Sequence, residues 1–476
     1  MVSLRQTGER LNFNAPRLYA GRERFAALAL ILAFASAGWK IANHPPASNF
    51  VAVSPRAAVL PGAGSKAVKV LPAPSPPQQL SPDGRFRFEA QFVSSAPGRA
   101  VHAPSVVELS GGGLRAVWFS GSREGAGDVV IKTSVMDQAS LRWSEESTLF
   151  DRLGIERGLW RYVKKLGNPV IARASDGSLF LWIVTVSVGG WAGSSISWSR
   201  STDDGGSWSI PRRLVTSPFL NISTLVKGAP FFYTNGQIGV PVYHELASKF
   251  AEVLRIDAGG QILDKTRIPG SHRSLQPVVL PVAAGQASAY MRSGAGAAVM
   301  MSATSDAGKT WSAAHATAWP NPDSALAGVV TDTGEQWLAL NPVAASREVL
   351  GLLHAPAQGT FDGASLWLVE SPAAPQTRLS VIQYEALLAA ELKSRGASEA
   401  QAQSDVASAR RQLCGASTCS REFSYPYLLQ SRDGYLHLLY TWHRARIKHV
   451  RLDPLQIAQP DAASPAATHA APSATH

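Results

Sequence analysis

Residues 201–208 read STDDGGSW, and residues 304–311 read TSDAGKTW. Both stretches fit the pattern S/T-x-D-x-G-x-x-W, which is typical of a tight turn between two β-strands. In this pattern the aspartate accepts hydrogen bonds from the turn backbone, the glycine adopts a φ that other residues resist, and the tryptophan packs beneath the hairpin. The two tryptophans lie 103 residues apart, which corresponds to two units of about 50 residues each. The pattern therefore predicts a repeated β structure.

Alternating strands extend this repeat along the chain. Segments such as VVELSGGGLRAVWFSG (106–121) and YLLQSRDGYLHLLYTW (427–442) each contain a strand, a glycine-containing turn and a second strand. Six such units lie between about residue 100 and residue 452, and the strand RFRFEA at 85–90 is expected to close the ring on the last unit. We predict an all-β fold, a six-bladed β-propeller, over residues 86–456.

One segment departs from the strand pattern. Residues 378–420 are predicted to be a helical insertion, since Leu387, Leu388 and Leu392 share one helical face. Cys414 and Cys419 follow it and are expected to form a disulfide in an oxidising compartment. The insertion would cover the mouth of the propeller, bind a partner or pack on the rim.

The N-terminal region indicates export. Residues 25–43 read FAALALILAFASAGWKIAN and follow three arginines, so we predict a transmembrane signal-anchor or a signal peptide. With an anchor, residues 1–24 would be a cytoplasmic tail, and the propeller would lie in the periplasm, attached to the inner membrane. With cleavage after a site such as Ala35-Ser36-Ala37, the protein would be secreted. Residues 44–85 are predicted to be a Pro/Ala-rich linker and residues 457–476 a disordered tail.

Composition limits the class of function. The formal net charge is +11, and only two of the 476 residues are cysteine. A basic surface without a dense Lys/Arg run or a nucleic-acid motif favours an acidic oligo- or polysaccharide as partner and argues against nucleic acid. The sequence contains no metal-ligand cluster, phosphate-binding loop or Ser-His-Asp spacing, so we predict neither a metal nor a cofactor.

Four further motifs accompany the repeats. They read HAPS (102–105), GSREGAGD (121–128), SYPY (424–427) and YTWHRARIKHV (440–450). Together with the turn motif, known as the Asp box, they make residues 98–452 similar to the sialidase (neuraminidase) superfamily, and most similar to its bacterial sialidase-like group. The resemblance implies a six-bladed propeller whose Asp boxes are structural and lie on the outer rim.

The resemblance also implies residue roles. Sialidases bind the substrate carboxylate with three arginines, because forked guanidiniums match a carboxylate. They use an aspartic acid as acid/base and a tyrosine nucleophile assisted by a glutamate. Position by position, this implies Asp128 as the acid/base, Arg292 and Arg347 as carboxylate ligands, and Tyr425 as the nucleophile.

Two positions depart from the superfamily pattern. His102 replaces the first arginine, and Gln276 replaces the glutamate that would activate the tyrosine. The resemblance therefore implies the propeller fold but not sialic acid as the substrate.

The sequence predicts a basic cleft on the central face. The predicted catalytic residues are His102, Asp128 and Tyr425. The predicted substrate-binding residues are Arg123, Gln276, Arg292, Arg347 and Arg444, with Lys227, Tyr243 and His244 as weaker candidates.

Three functions remain open from the sequence. The first is a membrane-anchored, sialidase-like glycoside hydrolase acting on an acidic glycan or exopolysaccharide. The second is a polysaccharide lyase that cleaves a uronate-containing glycan with His/Tyr acid–base chemistry. The third is a propeller that binds glycan without cleaving it.

Overall fold

The computed structural model divides the chain into two units, residues 1–46 and 47–476. The first contains helix α1 (Tyr19–Ala42), and no helix in the described residues combines the length and hydropathy needed to cross a bilayer. The predictions for residues 1–18, 459–476 and most of the 44–85 linker lie outside the described residues. The structure describes residues 19–42, 48–52, 78–80, 84, 87–217, 221–372 and 378–458.

The described residues of the second unit form seven antiparallel sheets. Six of them are blades, which confirms the predicted six-bladed all-β propeller, and the seventh is a two-stranded sheet in the helical insertion. Two strands precede the first complete blade, β1 (Gln78–Leu80) and β2 (Arg87–Phe92). Blade one contains β3 (Ala100–Glu108), β4 (Leu114–Gly121), β5 (Val130–Met136) and β6 (Ser147–Phe150). Blade two contains β7 (Lys165–Arg173), β8 (Leu179–Val186), β9 (Ser194–Ser201) and β10 (Arg212–Arg213). Blade three contains β11 (Leu225–Val226), β12 (Phe231–Phe232), β13 (Ile238–His244), β14 (Phe250–Ile256) and β15 (Ile262–Arg267). Short helices α2 (Arg152–Leu159) and a 3₁₀ turn (Trp191–Gly193) lie between these strands.

The second half of the ring repeats the arrangement around one insertion. Blade four contains β16 (Ser274–Pro281), β17 (Ala287–Ser293), β18 (Ala298–Thr304) and β19 (His315–Pro320). Blade five contains β20 (Ala327–Val330), β21 (Gln336–Leu340), β22 (Leu350–Ala355) and β23 (Ser365–Glu370). The insertion and blade six contain β24 (Leu379–Ser380), α3 (Val381–Ser394), α4 (Glu399–Leu413), β25 (Thr418–Cys419), β26 (Phe423–Gln430), β27 (Leu436–Trp442), β28 (Arg446–Leu452) and α5 (Pro454–Ala458).

The hydrophobic core lies between neighbouring blades. All eight residues of β8 are buried, whereas the outer strand β6 has none buried. One core cluster joins Trp118 of β4, Trp182 of β8 and Val240 of β13, which belong to three successive blades. Burial on both faces of the inner strands explains their continuous apolar runs.

The ring closes through strands from both ends of the propeller. Strand β2 pairs with β28, with Ala90 opposite Val450, and β1 extends the same sheet. This confirms the predicted closure, although the strand runs two residues beyond Ala90; Arg85 and Phe86 lie outside the described residues. A sheet that closes in this way leaves no free edge at the seam.

The Asp boxes have the predicted geometry. Asp203 Oδ1 accepts a hydrogen bond of 2.9 Å from the Ser207 amide, and Asp306 Oδ1 accepts one of the same length from the Thr310 amide. The glycines two positions further on have φ values of 85° and 81°. Trp311 is buried beneath its turn.

The helical insertion forms a helical hairpin that packs on blade six. Leu388 and Leu392 of α3 are fully buried in one core cluster with strands of that blade. The buried Asp405 on α4 forms an ion pair of 2.7 Å with Arg446 of β28. Cys414 and Cys419 are joined by a disulfide. The prediction of a helical insertion with a disulfide is therefore confirmed. The hairpin packs against blade six, and partner binding by it stays a prediction.

Residues 48–52 correct the prediction that residues 44–85 are only a spacer. Phe50 is 2% exposed, and its ring contacts those of Phe231 and Tyr233 at centroid distances of 5.4 and 5.3 Å. Backbone hydrogen bonds fix the segment to Ala284 and Phe232. A single aromatic side chain within a Pro/Ala-rich stretch is enough to dock this segment, since it buries a large apolar area.

Candidate functional site on the central face

The inner strands of four blades share a distortion that shapes the site. In each, the residue before a proline has a positive φ, and the strand pairing shifts register at that point. A β-bulge of this kind redirects a side chain and is energetically costly for a non-glycine residue. The four residues are Ala103 (φ 53°), Asn168 (35°), Gln276 (51°) and Tyr425 (54°).

Three of these residues join one buried polar cluster. The Tyr425 hydroxyl accepts hydrogen bonds of 3.2 Å from Arg292 Nη1 and from Gln276 Nε2. Arg292 Nη1 also donates to Gln276 Oε1 at 3.0 Å, which fixes the orientation of the amide. The Tyr243 hydroxyl accepts from Gln276 at 3.4 Å and from Asn168 at 3.2 Å. Two donors directed at the Tyr425 oxygen would stabilise negative charge on it.

His102 lies against the Tyr425 ring, with 4.1 Å between ring centroids. Burial, reinforced by Arg444, Arg347, Lys227 and Arg292, lowers the pKa of His102 well below its ordinary value. The ring is therefore neutral across the physiological range. Both of its nitrogens are buried without a hydrogen-bond partner among the described residues. A neutral ring with such a low pKa would be a weak base and cannot serve as the protonated acid.

Lys227 lies beneath the same tyrosine. Its Nζ donates to the Pro426 carbonyl at 2.9 Å and is 5.8 Å from the Tyr425 ring centroid. Burial lowers the pKa of Lys227 to about 7. This lysine therefore supports the backbone of the Tyr425 bulge.

Three guanidiniums come together above this cluster, each paired with a carboxylate. Arg292 Nε donates to Asp323 Oδ1 at 2.6 Å. Arg347 donates to the Asp323 carbonyl at 2.7 Å and forms an ion pair of 3.4 Å with Glu422. Arg444 Nε donates to both Glu422 oxygens, at 3.0 and 3.1 Å.

The third guanidinium has a second acidic partner. Arg444 Nη1 donates to Glu124 Oε2 at 2.9 Å. Burial alone would raise the pKa of Glu422, but Arg444 and Arg347 outweigh burial and hold that pKa below its ordinary value. Glu422 is therefore a fixed anion that holds two of the three arginines.

The structure places Asp128 and Arg123 on the loop between β4 and β5. Asp128 accepts hydrogen bonds from the Ser122 amide and hydroxyl and pairs with Arg99 at 3.2 Å. These contacts outweigh partial burial and lower the pKa of Asp128. Arg123 is exposed, and its guanidinium donates to the Glu124 carbonyl at 3.5 Å. Neither side chain has a hydrogen bond or ion pair to Tyr425 within the described ranges.

Of the weaker candidates, Tyr243 and Lys227 join the site and His244 does not. His244 stacks on Phe250 at 4.3 Å and pairs with Glu252 at 3.1 Å, so it is part of blade three's own packing.

Sequence reasoning missed four acidic residues, namely Glu124, Glu245, Asp323 and Glu422. Burial raises the pKa of Glu245, although Lys249 and Arg292 act in the opposite direction. A proline follows the bulged residue in four inner strands, and this repeated pattern was the sequence signal that could have located the central face. No local pattern marks these acids, because Glu124 pairs with an arginine of another blade, and the arginines of Asp323 and Glu422 lie at least 22 positions away in the chain.

The comparisons with known proteins agree with this architecture. The model of a family described as BNR repeat-like domain matches residues 112–438. The chain belongs to this family. Solved structures of sialidases share its propeller fold. A comparison with curated proteins gives no match.

Several solved structures resemble this BNR-repeat propeller. The Hadza microbial sialidase Hz136 aligns with 14% identity and a TM-score of 0.56, covering 74% of this chain and 66% of that one, just under two thirds of its length. The NanB sialidase from Streptococcus pneumoniae aligns with 11% identity and a TM-score of 0.54, covering 78% and 71%. The intramolecular trans-sialidase from Ruminococcus gnavus aligns with 12% identity and a TM-score of 0.54, covering 78% and 97%. At these identities the likeness shows a shared fold.

Proposed function

We propose that this BNR-repeat propeller is a sialidase-like glycoside hydrolase that acts on an acidic glycan. The observation that carries the proposal is the Tyr425 hydroxyl, held by Arg292 and Gln276 below a group of three guanidiniums. A glycan carboxylate would bind among the guanidiniums, which would bring the neighbouring anomeric carbon towards the tyrosine oxygen.

The chemistry requires attack on the anomeric carbon and protonation of the leaving oxygen. Tyr425 would first lose its hydroxyl proton to water, and its two N–H donors would stabilise the resulting phenolate. As the phenolate oxygen bonds to the anomeric carbon, the bond from that carbon to the leaving oxygen breaks and the leaving oxygen takes a proton from the acid; water would then hydrolyse the bond to Tyr425. The resemblance assigns the proton donor to Asp128.

One observation favours binding without cleavage as the second candidate function. The group beside the Tyr425 hydroxyl is the Gln276 amide, which donates to it at 3.2 Å and cannot accept its proton. No carboxylate in the described part of the chain is hydrogen-bonded to that hydroxyl. A binding module would use the same arginines and would not require a base.

A lyase has weaker support. Its proton-abstracting base would be His102 or Tyr425, and the lowered pKa of His102 makes that ring a weak base. No carboxylate among the described residues is hydrogen-bonded to the Tyr425 hydroxyl, so in a lyase, as in the hydrolase, its proton would have to pass to water.

We also propose that residues 25–43 direct the propeller out of the cytoplasm, either as an inner-membrane anchor or as a cleaved signal. Support comes from the preceding arginines, the apolar run and the disulfide between Cys414 and Cys419. Membrane fractionation together with N-terminal sequencing of the mature protein tests this: an intact, membrane-bound chain means an anchor, and a soluble chain starting near Ala37 means cleavage.

The catalytic proposal is tested with residues 47–458, which retain the docked segment around Phe50. The protein is incubated with a fluorogenic sialoside and with a panel of acidic polysaccharides. New reducing ends without absorbance of an unsaturated uronate are expected, and Tyr425→Phe should lower the rate about 100-fold or more.

Tyr162→Phe is the matched control, since Tyr162 is exposed, and it should leave the rate unchanged. Reducing ends accompanied by uronate absorbance would indicate a lyase. Saturable glycan binding without product would favour the binding module.

A further inference from the structure

The loop Ser122–Asp128, which we name the Glu124 loop, brings a carboxylate of the protein itself into the arginine group. The loop connects β4 to β5 in blade one, whereas Arg444 follows β27 in blade six. The contact between Glu124 Oε2 and Arg444 Nη1, at 2.9 Å, thus joins residues 320 positions apart in the chain.

Glu124 is one of three carboxylates that form ion pairs with the arginine group. Three guanidiniums, those of Arg292, Arg347 and Arg444, face three carboxylates, those of Asp323, Glu422 and Glu124. Asp323 and Glu422 belong to the frame of the site, since Asp323 also binds Arg347 through its carbonyl and Glu422 bridges two arginines. If Glu124 leaves, Arg444 Nη1 loses its carboxylate partner while Nε stays on Glu422, which leaves a donor for one carboxylate of a ligand.

The Glu124 loop leaves its acidic side chain partly open to solvent. At the base, Asp128 accepts hydrogen bonds from Ser122. Near the tip, Gly125 has a φ of 73°, and a Cβ there would meet only the Lys165 side chain, at 3.5 Å. The Glu124 side chain is 34% exposed, against 10% for Glu422. Of the two carboxylates on Arg444, Glu124 is therefore the one that can leave.

We propose that Glu124 is an internal ligand of the arginine group and that the carboxylate of an acidic glycan displaces it on binding. This inference rests on the proposed function and adds the way in which the site is opened. Glu124 thereby sets specificity, because a neutral sugar cannot replace it on Arg444.

The energetic consequence follows from competition. A ligand that must displace an internal contact binds with its intrinsic affinity reduced by the fraction of molecules in which the contact is open. Removing the Glu124 charge would raise that fraction, so affinity for a carboxylate should increase while affinity for a neutral sugar should not.

The test uses the full chain and compares Glu124→Gln, Arg444→Gln and the wild type. Titration calorimetry measures binding of N-acetylneuraminate and D-glucuronate, with glucose as the neutral control, and amide hydrogen exchange follows residues 122–128. Glu145→Gln is the matched control, because Glu145 is an exposed glutamate in the same blade and its loss changes the net charge equally.

Both Glu124→Gln and Arg444→Gln should speed exchange in the loop. Only Glu124→Gln should tighten acid-sugar binding, by about 10-fold, whereas Arg444→Gln should weaken it. A solely structural contact would not produce these opposite effects on affinity.

Two outcomes would overturn the inference, and they can be told apart. Wild-type binding that Glu124→Gln leaves within twofold would refute displacement and keep the acidic-glycan proposal. No acid-sugar binding by either protein would refute the acidic-glycan proposal and the displacement with it.

Discussion

The Asp-box turns on the blade hairpins and the charged site on the central face both depend on carboxylates, but these carboxylates find their partners in different ways. Asp203 and Asp306 bind residues of their own turns, at most four positions away. Glu422 binds Arg347, 75 positions away, and Glu124 binds Arg444, 320 positions away. A turn carboxylate is therefore predictable from a short pattern, whereas a central carboxylate gains its role only after the ring has closed.

The same difference should appear in stability, and the largest expected effect is at Asp405. This side chain is fully buried, pairs with Arg446 and accepts from the Gly98 amide at 2.9 Å. Asp405→Ala would leave a buried guanidinium without its partner, so the free energy of unfolding should fall by about 3–5 kcal/mol. Urea denaturation of residues 47–458 measures it.

The control for Asp405 removes both charges. The double variant Asp405→Leu/Arg446→Met should recover most of the loss, because an apolar pair replaces the ion pair. A loss below about 1 kcal/mol in Asp405→Ala would contradict the importance of this contact between distant segments.

The docked segment at Phe50 should give the next largest effect. Phe50→Ala removes a buried aromatic side chain and should destabilise the docked state of residues 48–52 by about 3 kcal/mol. Amide exchange of Val51, whose amide bonds to the Phe232 carbonyl at 2.8 Å, reports it. Asn49→Ala, at an exposed position, is the control, and equal exchange in the two variants would count against docking through Phe50.

A pair of buried histidines should make the seam between blades six and one sensitive to acid. Trp143 Nε1 donates to His449 Nδ1 at 3.1 Å, so His449 Nε2 donates to His437 Nδ1 at 2.9 Å and His437 Nε2 donates to Ser431 at 2.8 Å. Burial lowers the pKa of His437 to about 3, and burial, together with His437 and Arg451, lowers that of His449 well below its ordinary value.

The sign of the pH effect follows from these lowered pKa values. Below about pH 6.5 both histidines are protonated in the unfolded chain but stay neutral in the folded protein. The free energy of unfolding should therefore fall as pH decreases from 6.5 towards 3, by about 1 kcal/mol per pH unit for each histidine. Urea denaturation at pH 7, 6 and 5 measures the slope. His437→Gln should reduce it, His315→Gln at an exposed position should not, and equal slopes in both variants would refute the assignment.

The smallest effect is expected at the Asp-box turn itself. Asp203 accepts from the Ser207 amide and hydroxyl, and these bonds with that of Ser201 lower its pKa to about 2. Asp203→Ala should lower the free energy of unfolding by about 1 kcal/mol, similar to the loss of a helix cap, because the turn is exposed and water replaces the lost acceptor. A loss as large as that of Asp405→Ala would remove the contrast between local and distant carboxylates.

The sequence predicted the fold more completely than the site. The Asp boxes, the six units and the strand after Arg85 gave the blade count and the closure on β28, because turn chemistry and strand alternation are local. Tyr425, Gln276 and Arg292 were also predicted and lie together. Glu422, Asp323 and Glu124 were not, because no nearby residue shows that each lies against an arginine of another blade.

The sequence by itself determined that this chain folds into six blades with a helical insertion and a disulfide, since each of these depends on residues close together in the chain. Only the tertiary structure decided that three arginines form ion pairs with three carboxylates and that His102 is held neutral against Tyr425. It also decided that Phe50 packs against Phe231 and Tyr233. Each of these depends on burial and on charges brought together from different blades, and a pairing across hundreds of residues exists only once the ring is closed.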